Sequence, residues 1–128
     1  MKTILIVDDE KNLLKLYEKE FTEEGYHVIT AGSGPEALQK IQQDPLDLVI
    51  LDIRMPDLNG VDTLKKIMES TSTVPVILNS AYTSYRDNFL TWAAEAYVVK
   101  SSDLTELKNK AKEVLEKRSS AQQAPHTG

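Results

Sequence analysis

The chain has 128 residues, a length typical of one domain with a single sizeable hydrophobic core. Its 15 basic and 20 acidic residues give a formal net charge of −5, which provides no general electrostatic reason to bind nucleic acid or an anionic membrane. The absence of cysteine excludes disulfides and thiolate chemistry, and the apolar run ILIV near the N-terminus is too short for a secretory signal or a membrane span. We therefore expect a cytoplasmic protein.

Short apolar runs alternate with segments of helical periodicity along the chain. The runs predict strands near residues 3–7, 27–31, 47–51, 75–79 and 96–99. The helical segments lie near residues 13–21, 37–41, 61–68, 86–94 and 104–115. Such alternation predicts right-handed βαβ crossovers, and hence a (βα)5 α/β fold with a doubly wound, five-stranded parallel sheet covered by helices on both faces.

Turn and cap residues support these boundaries. Gly25 follows the first helix, Pro35 stands at the start of the second, and Asp103 with Glu106 predicts a capping box before the last. The final ten residues, SSAQQAPHTG, have no apolar periodicity. We therefore expect one domain over residues 1–118, followed at 119–128 by a flexible tail, a linker or residual expression-vector sequence.

Polar residues end four of the predicted strands. Ligands of open parallel α/β sheets bind outside the carboxyl ends of the strands, so these residues are candidates for function. They are Asp9, Asp52, Ser80 and Lys100.

Acidic residues dominate two of these strand ends. Asp8 and Asp9 are adjacent carboxylates, whose hard oxygens suit Mg²⁺, although acids before a helix are also common N-caps. Asp52 adds a third carboxylate, and three neighbouring acids repel one another unless a cation neutralises them. A carboxylate in such a place can also attack phosphorus as a nucleophile.

The other two strand ends carry a hydroxyl and an ammonium group. Lys100 can offer a cation to a phosphoryl oxygen, and Ser80 can donate a hydrogen bond to another. Taken singly, a serine there is typical of a turn and a lysine of a solvated charge. Gathered with the acids at one sheet edge, they favour phosphate chemistry.

The chain resembles a known family, the receiver domain of two-component response regulators. The segments ILIVDDE, LVILDIRMPDLNG, VILNSA and AYVVK match the conserved blocks of that family in order, and the similarity covers residues 2–118. The resemblance implies a CheY-like, flavodoxin-like fold with strand order 2-1-3-4-5.

The resemblance also implies roles for individual residues. Asp52 would accept a phosphoryl group from a histidine kinase. Asp8, Asp9 and Asp52 would bind Mg²⁺, with Mn²⁺ as an alternative, and the backbone carbonyl of Arg54 would complete the protein ligands.

Three further residues would sense the phosphoryl group. Lys100 would pair with its oxygens and Ser80 would move towards it. Tyr97 matches the aromatic residue that turns inward in response, although a strand tyrosine can also be simple core. The event would be a local electrostatic change that drives a two-state rearrangement.

The implied partners are a sensor histidine kinase or phosphotransfer protein, and an effector that reads the face of the fourth helix, fifth strand and fifth helix. The same face could support a homodimer, and neither direct nucleic-acid binding nor membrane binding is expected. The domain would catalyse its own phosphorylation and dephosphorylation at Asp52 without being a turnover enzyme.

Two departures from the family pattern keep alternatives open. Ser101 replaces the usual proline, which the family joins to the lysine through a cis peptide; non-proline cis bonds cost about 3 kcal/mol, and the sequence leaves open whether the Lys100–Ser101 peptide is cis or trans. Ala93 replaces the usual glycine after the fourth helix. The alternatives are a partner-binding module that is never phosphorylated and a haloacid-dehalogenase-type phosphatase, which would need an aspartate where Arg54 stands.

Overall fold

The computed structural model describes residues 1–52, 66, 69–70, 74–81 and 95–123, with side chains up to residue 117. Lys66, Glu69 and Ser70 are helical, within or next to the third predicted helix. The rest of that helix lies outside the described residues. So does the fourth predicted helix, near 86–94, with Ala93.

The described residues form one five-stranded parallel sheet in the order β2-β1-β3-β4-β5. This confirms the predicted fold class and strand order. The third strand begins one residue later than predicted, and the fourth is shifted by one residue to include Ser80. The strands are β1 Thr3–Val7, β2 His27–Ala31, β3 Leu48–Leu51, β4 Val76–Ser80 and β5 Ala96–Val99.

Three described helices are complete: α1 Lys11–Glu23, α2 Gly34–Gln43 and α3 Thr105–Gln123. α3 is the fifth helix predicted from the sequence. Its backbone stays helical to Gln123, so helical structure continues past residue 118, where we placed the end of the domain. No helix among the described residues is long and apolar enough to cross a bilayer.

The sheet is buried on both faces, which explains why its strands are continuous apolar runs. Alternate strand residues point to opposite faces, and each face carries its own core cluster. On one face, Ile4, Ile6 and Ile50 pack with residues of α1 and α3. On the other, Leu5 and Val49 pack with residues of α2.

Side chains cap the N-termini of α2 and α3. The Ser33 hydroxyl accepts from the Glu36 N–H at 3.2 Å, while the Glu36 carboxylate accepts from the Gly32 N–H at 2.8 Å. Before α3, the Asp103 carboxylate accepts from both the N–H and the hydroxyl of Thr105, at 2.9 and 2.6 Å. Asp103 therefore caps the helix through Thr105 rather than through the predicted box with Glu106.

The C-terminus of α1 ends in a Schellman motif. Gly25 has a φ of 97°, its N–H donates to the Thr22 carbonyl at 3.0 Å, and the Tyr26 N–H donates to the Phe21 carbonyl at 3.2 Å. The rings of Phe21 and Tyr26 pack with their centroids 6.1 Å apart. The motif turns the chain directly from α1 into β2.

Replacing Gly25 with alanine should lower the free energy of unfolding by about 1 kcal/mol, because an L-residue is strained at positive φ. A Cβ there would meet no atom within 4 Å, so the cost is conformational rather than steric. Urea denaturation measures the change. Gly32→Ala is the matched control, since its Cβ would make only an ordinary contact, 3.6 Å from Glu36. Equal losses in the two variants would contradict the strain argument.

Candidate functional site

The first two acidic residues lie directly after β1. The Asp8 N–H donates to the Ala31 carbonyl of β2 at 3.1 Å, and the Asp8 carboxylate accepts from the Glu10 N–H at 2.9 Å. Asp8 is buried, whereas Asp9 is exposed. The N-cap of α1 is Glu10, and its side chain makes no capping hydrogen bond. The capping interpretation therefore does not explain Asp8 or Asp9.

Asp52 joins these two acids because the β1–β3 pairing continues past the end of β3. Its N–H donates to the Val7 carbonyl at 3.0 Å, which holds Asp52 beside the end of β1. One carboxylate oxygen from each of Asp8, Asp9 and Asp52 lies within 4.8 Å of the others. Three hard, anionic oxygen donors at this spacing suit a divalent cation such as Mg²⁺.

Lys100 reaches this acidic group from the end of β5. Its N–H donates to the Ser80 carbonyl at 2.7 Å, which extends the pairing of β4 with β5. Its Nζ lies 2.8 Å from Asp8 Oδ2 and 3.2 Å from Asp52 Oδ2. The side chains of Asp8 and Asp52 are only 1% and 5% exposed, so these charges interact largely out of water.

The charges of the cluster are not balanced. Burial, the Asp8 charge and, more weakly, the Asp9 charge raise the pKa of Asp52 to about 6, and Lys100 only partly offsets them. Burial alone would lower the pKa of Lys100, but its contacts with Asp8 and Asp52 outweigh burial and raise that pKa. One ammonium facing three carboxylates leaves room for a further cation.

Ser80 lies at the same end of the sheet as the charged cluster, and Tyr97 lies three residues before Lys100, within β5. Ser80 is fully buried as the last residue of β4 and pairs with Val99. Tyr97 pairs with Leu78 and packs, partly buried, against the core cluster that contains Leu78. By strand alternation Ser80 belongs to that same sheet face. Their predicted switch roles remain predictions.

The described residues contain no cis peptide bond, so the Lys100–Ser101 peptide, which the sequence left open, is trans. The Lys100 ammonium nevertheless contacts two of the acids. Arg54, whose carbonyl was predicted as a metal ligand, lies outside the described residues. The fourth helix of the predicted output face lies outside them too.

The sequence interpretation missed one polar contact near the site. Asn79 Nδ2 donates to the Tyr17 hydroxyl at 3.1 Å, and both residues are buried. We had taken Asn79 as the end of an apolar run and Tyr17 as part of the apolar stripe of the first helix. An amide inside an otherwise apolar strand was the available signal.

Comparison with known proteins agrees with this geometry. Residues 4–112 match the family model of the response regulator receiver domain, and the chain belongs to that family. As a receiver domain it is a phosphorylation-activated signalling switch. A curated relative, the response regulator ArlR of Staphylococcus aureus, is 37% identical over 120 residues, which are 92% of this chain and 54% of ArlR. The chain thus spans about half the length of the curated relatives it matches.

Solved structures show the same architecture. The response regulator TrrA of Thermotoga maritima, in complex with Mg²⁺ and beryllium fluoride, is 46% identical with a TM-score of 0.82, covering 89% of this chain and 99% of TrrA. TrrA has also been solved in complex with the histidine kinase ThkA, where its TM-score is 0.81. A CheY-like receiver domain from Methanospirillum hungatei is 30% identical with a TM-score of 0.86, over 94% of this chain and 98% of its own.

Replacing Asp52 with asparagine should stabilise the metal-free protein at neutral pH. The folded-state pKa of Asp52 is raised, so between about pH 4 and pH 6 the folded state holds more protons than the unfolded chain, and stability falls as the pH rises. At neutral pH the variant should gain about 2 kcal/mol in free energy of unfolding, and below about pH 4 the gain should vanish. Urea denaturation in EDTA, at neutral pH and below about pH 4, measures this difference in free energy of unfolding.

Asp103→Asn is the matched control for this change. The hydrogen bonds from Thr105 lower the pKa of the exposed Asp103 carboxyl, so its removal should weaken the protein at neutral pH. A stability gain for Asp52→Asn that does not depend on pH would contradict the electrostatic explanation.

Proposed function

We propose that Asp52 is the residue that accepts the phosphoryl group. The observation that carries this proposal is the cluster itself: a buried carboxylate at a strand end, 3.2 Å from the Lys100 ammonium and beside two further carboxylates. Asp8 is less suited to the role, because it binds both Lys100 and the Glu10 N–H. Asp9 is exposed and lacks the enclosed environment of Asp52.

The transfer is a substitution at phosphorus. A carboxylate oxygen of Asp52 attacks the phosphorus of a phosphohistidine, the P–N bond breaks, and the imidazole nitrogen leaves with the electron pair and takes up a proton. The product is an acyl phosphate on Asp52. Only the deprotonated carboxylate attacks, and a pKa of about 6 leaves most of Asp52 in that form at neutral pH. The Lys100 ammonium is placed to stabilise the charge on the phosphoryl oxygens.

Asp8, Asp9 and Asp52, together with the backbone carbonyl of Arg54, would hold Mg²⁺, and Mn²⁺ is an alternative with the same preference for oxygen ligands. The grouping of the three carboxylates supports this assignment, as does the Mg²⁺–beryllium fluoride complex of TrrA. The ion would neutralise the charge that accumulates between the carboxylates and the phosphoryl group.

Phosphorylation would act on the fold through Lys100, Ser80 and Tyr97. New phosphoryl oxygens compete with Asp8 for the Lys100 ammonium, and a hydroxyl that turns towards them leaves space on the sheet face that Tyr97 shares. The readout surface would be β5, α3 and the fourth helix. This surface is where we expect an effector or a second copy of the chain to bind.

The donor would be a sensor histidine kinase or a phosphotransfer protein, and the ThkA–TrrA complex supports a kinase partner. We assign the receiver domain to residues 1–118 and treat 119–128 as a tail or linker. The domain would work in the cytoplasm and would catalyse its own phosphorylation and dephosphorylation rather than turn over a separate substrate.

Incubation with Mg²⁺ and acetyl phosphate should add one phosphoryl group, detected by intact mass, because the acetate leaving group lets a small molecule replace the kinase. Asp52→Asn should abolish the addition, EDTA should suppress it, and Asp103→Asn should leave it unchanged. Failure of the folded parent to gain the group from acetyl phosphate or a phosphorylated kinase domain would favour the alternative, a partner-binding module that is never phosphorylated.

Replacing Lys100 with methionine should slow phosphorylation by acetyl phosphate at least about tenfold, because the partly buried cation facing the phosphoryl oxygens is lost. Methionine keeps an apolar stem of similar length, so packing is largely retained. Lys108→Met is the matched control, since Lys108 pairs with Glu20 at 2.6 Å rather than with Asp8 or Asp52. Stopped-flow or timed mass measurements give the rates. Similar rates in the two variants would remove Lys100 from the proposed mechanism.

A further inference from the structure

A buried polar pair links α1 to β4 beside the phosphorylation site. Asn79 Nδ2 donates to the Tyr17 hydroxyl at 3.1 Å, and the two residues are 3% and 2% exposed. None of the roles assigned above uses either residue. Burying an amide and a phenol costs free energy unless their hydrogen bonds are satisfied, and two apolar side chains of similar shape would fill the space without that cost.

The pair lies on the sheet face that carries the charged cluster. Ile77 packs into the core cluster beneath α1 and α3, and Asn79 is two residues further along the same strand. Tyr17 belongs to the same cluster. Asn79 and Lys100 also line the same cavity of about 270 Å³ at the start of α3.

The main chain connects the pair to Lys100 by a second route. Asn79 directly precedes Ser80, and the Ser80 carbonyl accepts the Lys100 N–H at 2.7 Å. A hydrogen bond that anchors Asn79 to α1 therefore also restrains the carbonyl that holds the Lys100 backbone. Lys100 is followed here by a trans peptide to Ser101, and Ser101 lacks the ring that fixes φ in proline.

The Tyr17 hydroxyl is within electrostatic reach of the cluster. Burial raises the pKa of this hydroxyl, the Asn79 hydrogen bond opposes the increase, and the charges of Lys100, Asp8 and Asp52 also act on it. Oriented dipoles beside a charged cluster, such as this hydroxyl and amide, stabilise a fixed arrangement of the charges without having to reorient.

We propose that Tyr17 and Asn79 are positioning residues for the phosphoryl-transfer reaction, whose hydrogen bond holds the β4 end and the Lys100 ammonium in register with Asp8 and Asp52. This inference rests on the proposed function, since it concerns the rate at which Asp52 is phosphorylated.

The test compares Tyr17→Phe, Asn79→Leu and the double variant, in Mg²⁺ with acetyl phosphate as the donor. Each single variant leaves one buried polar group without its partner, so both stability and rate should fall. The double variant removes both partners and should recover most of the stability. Its phosphorylation rate should stay about five- to tenfold below that of the parent, because the positioning contact is still missing. Tyr26→Phe is the control: it removes a hydroxyl in the turn between α1 and β2, and it should keep the parent rate.

Recovery of stability without recovery of rate separates positioning from simple packing. A double variant that is as stable and as fast as the parent would overturn the inference. So would a rate for Tyr17→Phe equal to that for Tyr26→Phe. If the parent itself gains no phosphoryl group on Asp52, the proposed function fails and this inference fails with it. Parent-like rates in all variants of a phosphorylated parent overturn this inference alone.

Discussion

The contact of one ammonium with two buried carboxylates organises this end of the molecule. Lys100 Nζ lies 2.8 Å from Asp8 and 3.2 Å from Asp52, and both acids are almost fully removed from water. Removing the ammonium from this group leaves buried carboxylates uncompensated in a poorly solvated place, which is costly. The arrangement is therefore both tightly held and sensitive to any new charge, as a switch requires.

The backbone supplies the precision of this contact. Asp8, Asp52 and Lys100 each donate their main-chain N–H to the neighbouring strand just beyond the sheet, at 3.1, 3.0 and 2.7 Å respectively. Each functional side chain thus begins from a position fixed by strand pairing rather than from a free loop. Rigid placement of this kind reduces the reorganisation needed when a phosphoryl group arrives. Burial and the neighbouring carboxylate charges, which together raise the pKa of Asp52, are the thermodynamic cost of holding a nucleophile ready.

Much of the fold could be predicted because parallel strands buried on both faces have a distinctive pattern. Runs such as ILIV and LVIL became β1 and β3, and Gly25 ended α1 through a positive φ, as the turn chemistry indicated. The details of one helix cap and of the strand ends differed from the predictions. Asp103 capped α3 through Thr105 instead of Glu106, and β4 was shifted by one residue to include Ser80. Differences of one residue depend on tertiary pairing, which local propensity does not contain.

The sequence by itself determined the alternation of strands and helices and which polar residues end the strands, because periodicity and strand length are local properties of the chain. From that, the meeting of Asp8, Asp52 and Lys100 at one edge followed. Only the tertiary structure decided that Lys100 pairs with both acids, that burial raises the pKa of Asp52, and that Asn79 bonds to Tyr17. Those features depend on distances between residues far apart in sequence and on the exclusion of water, which arise only when the sheet and its helices pack together.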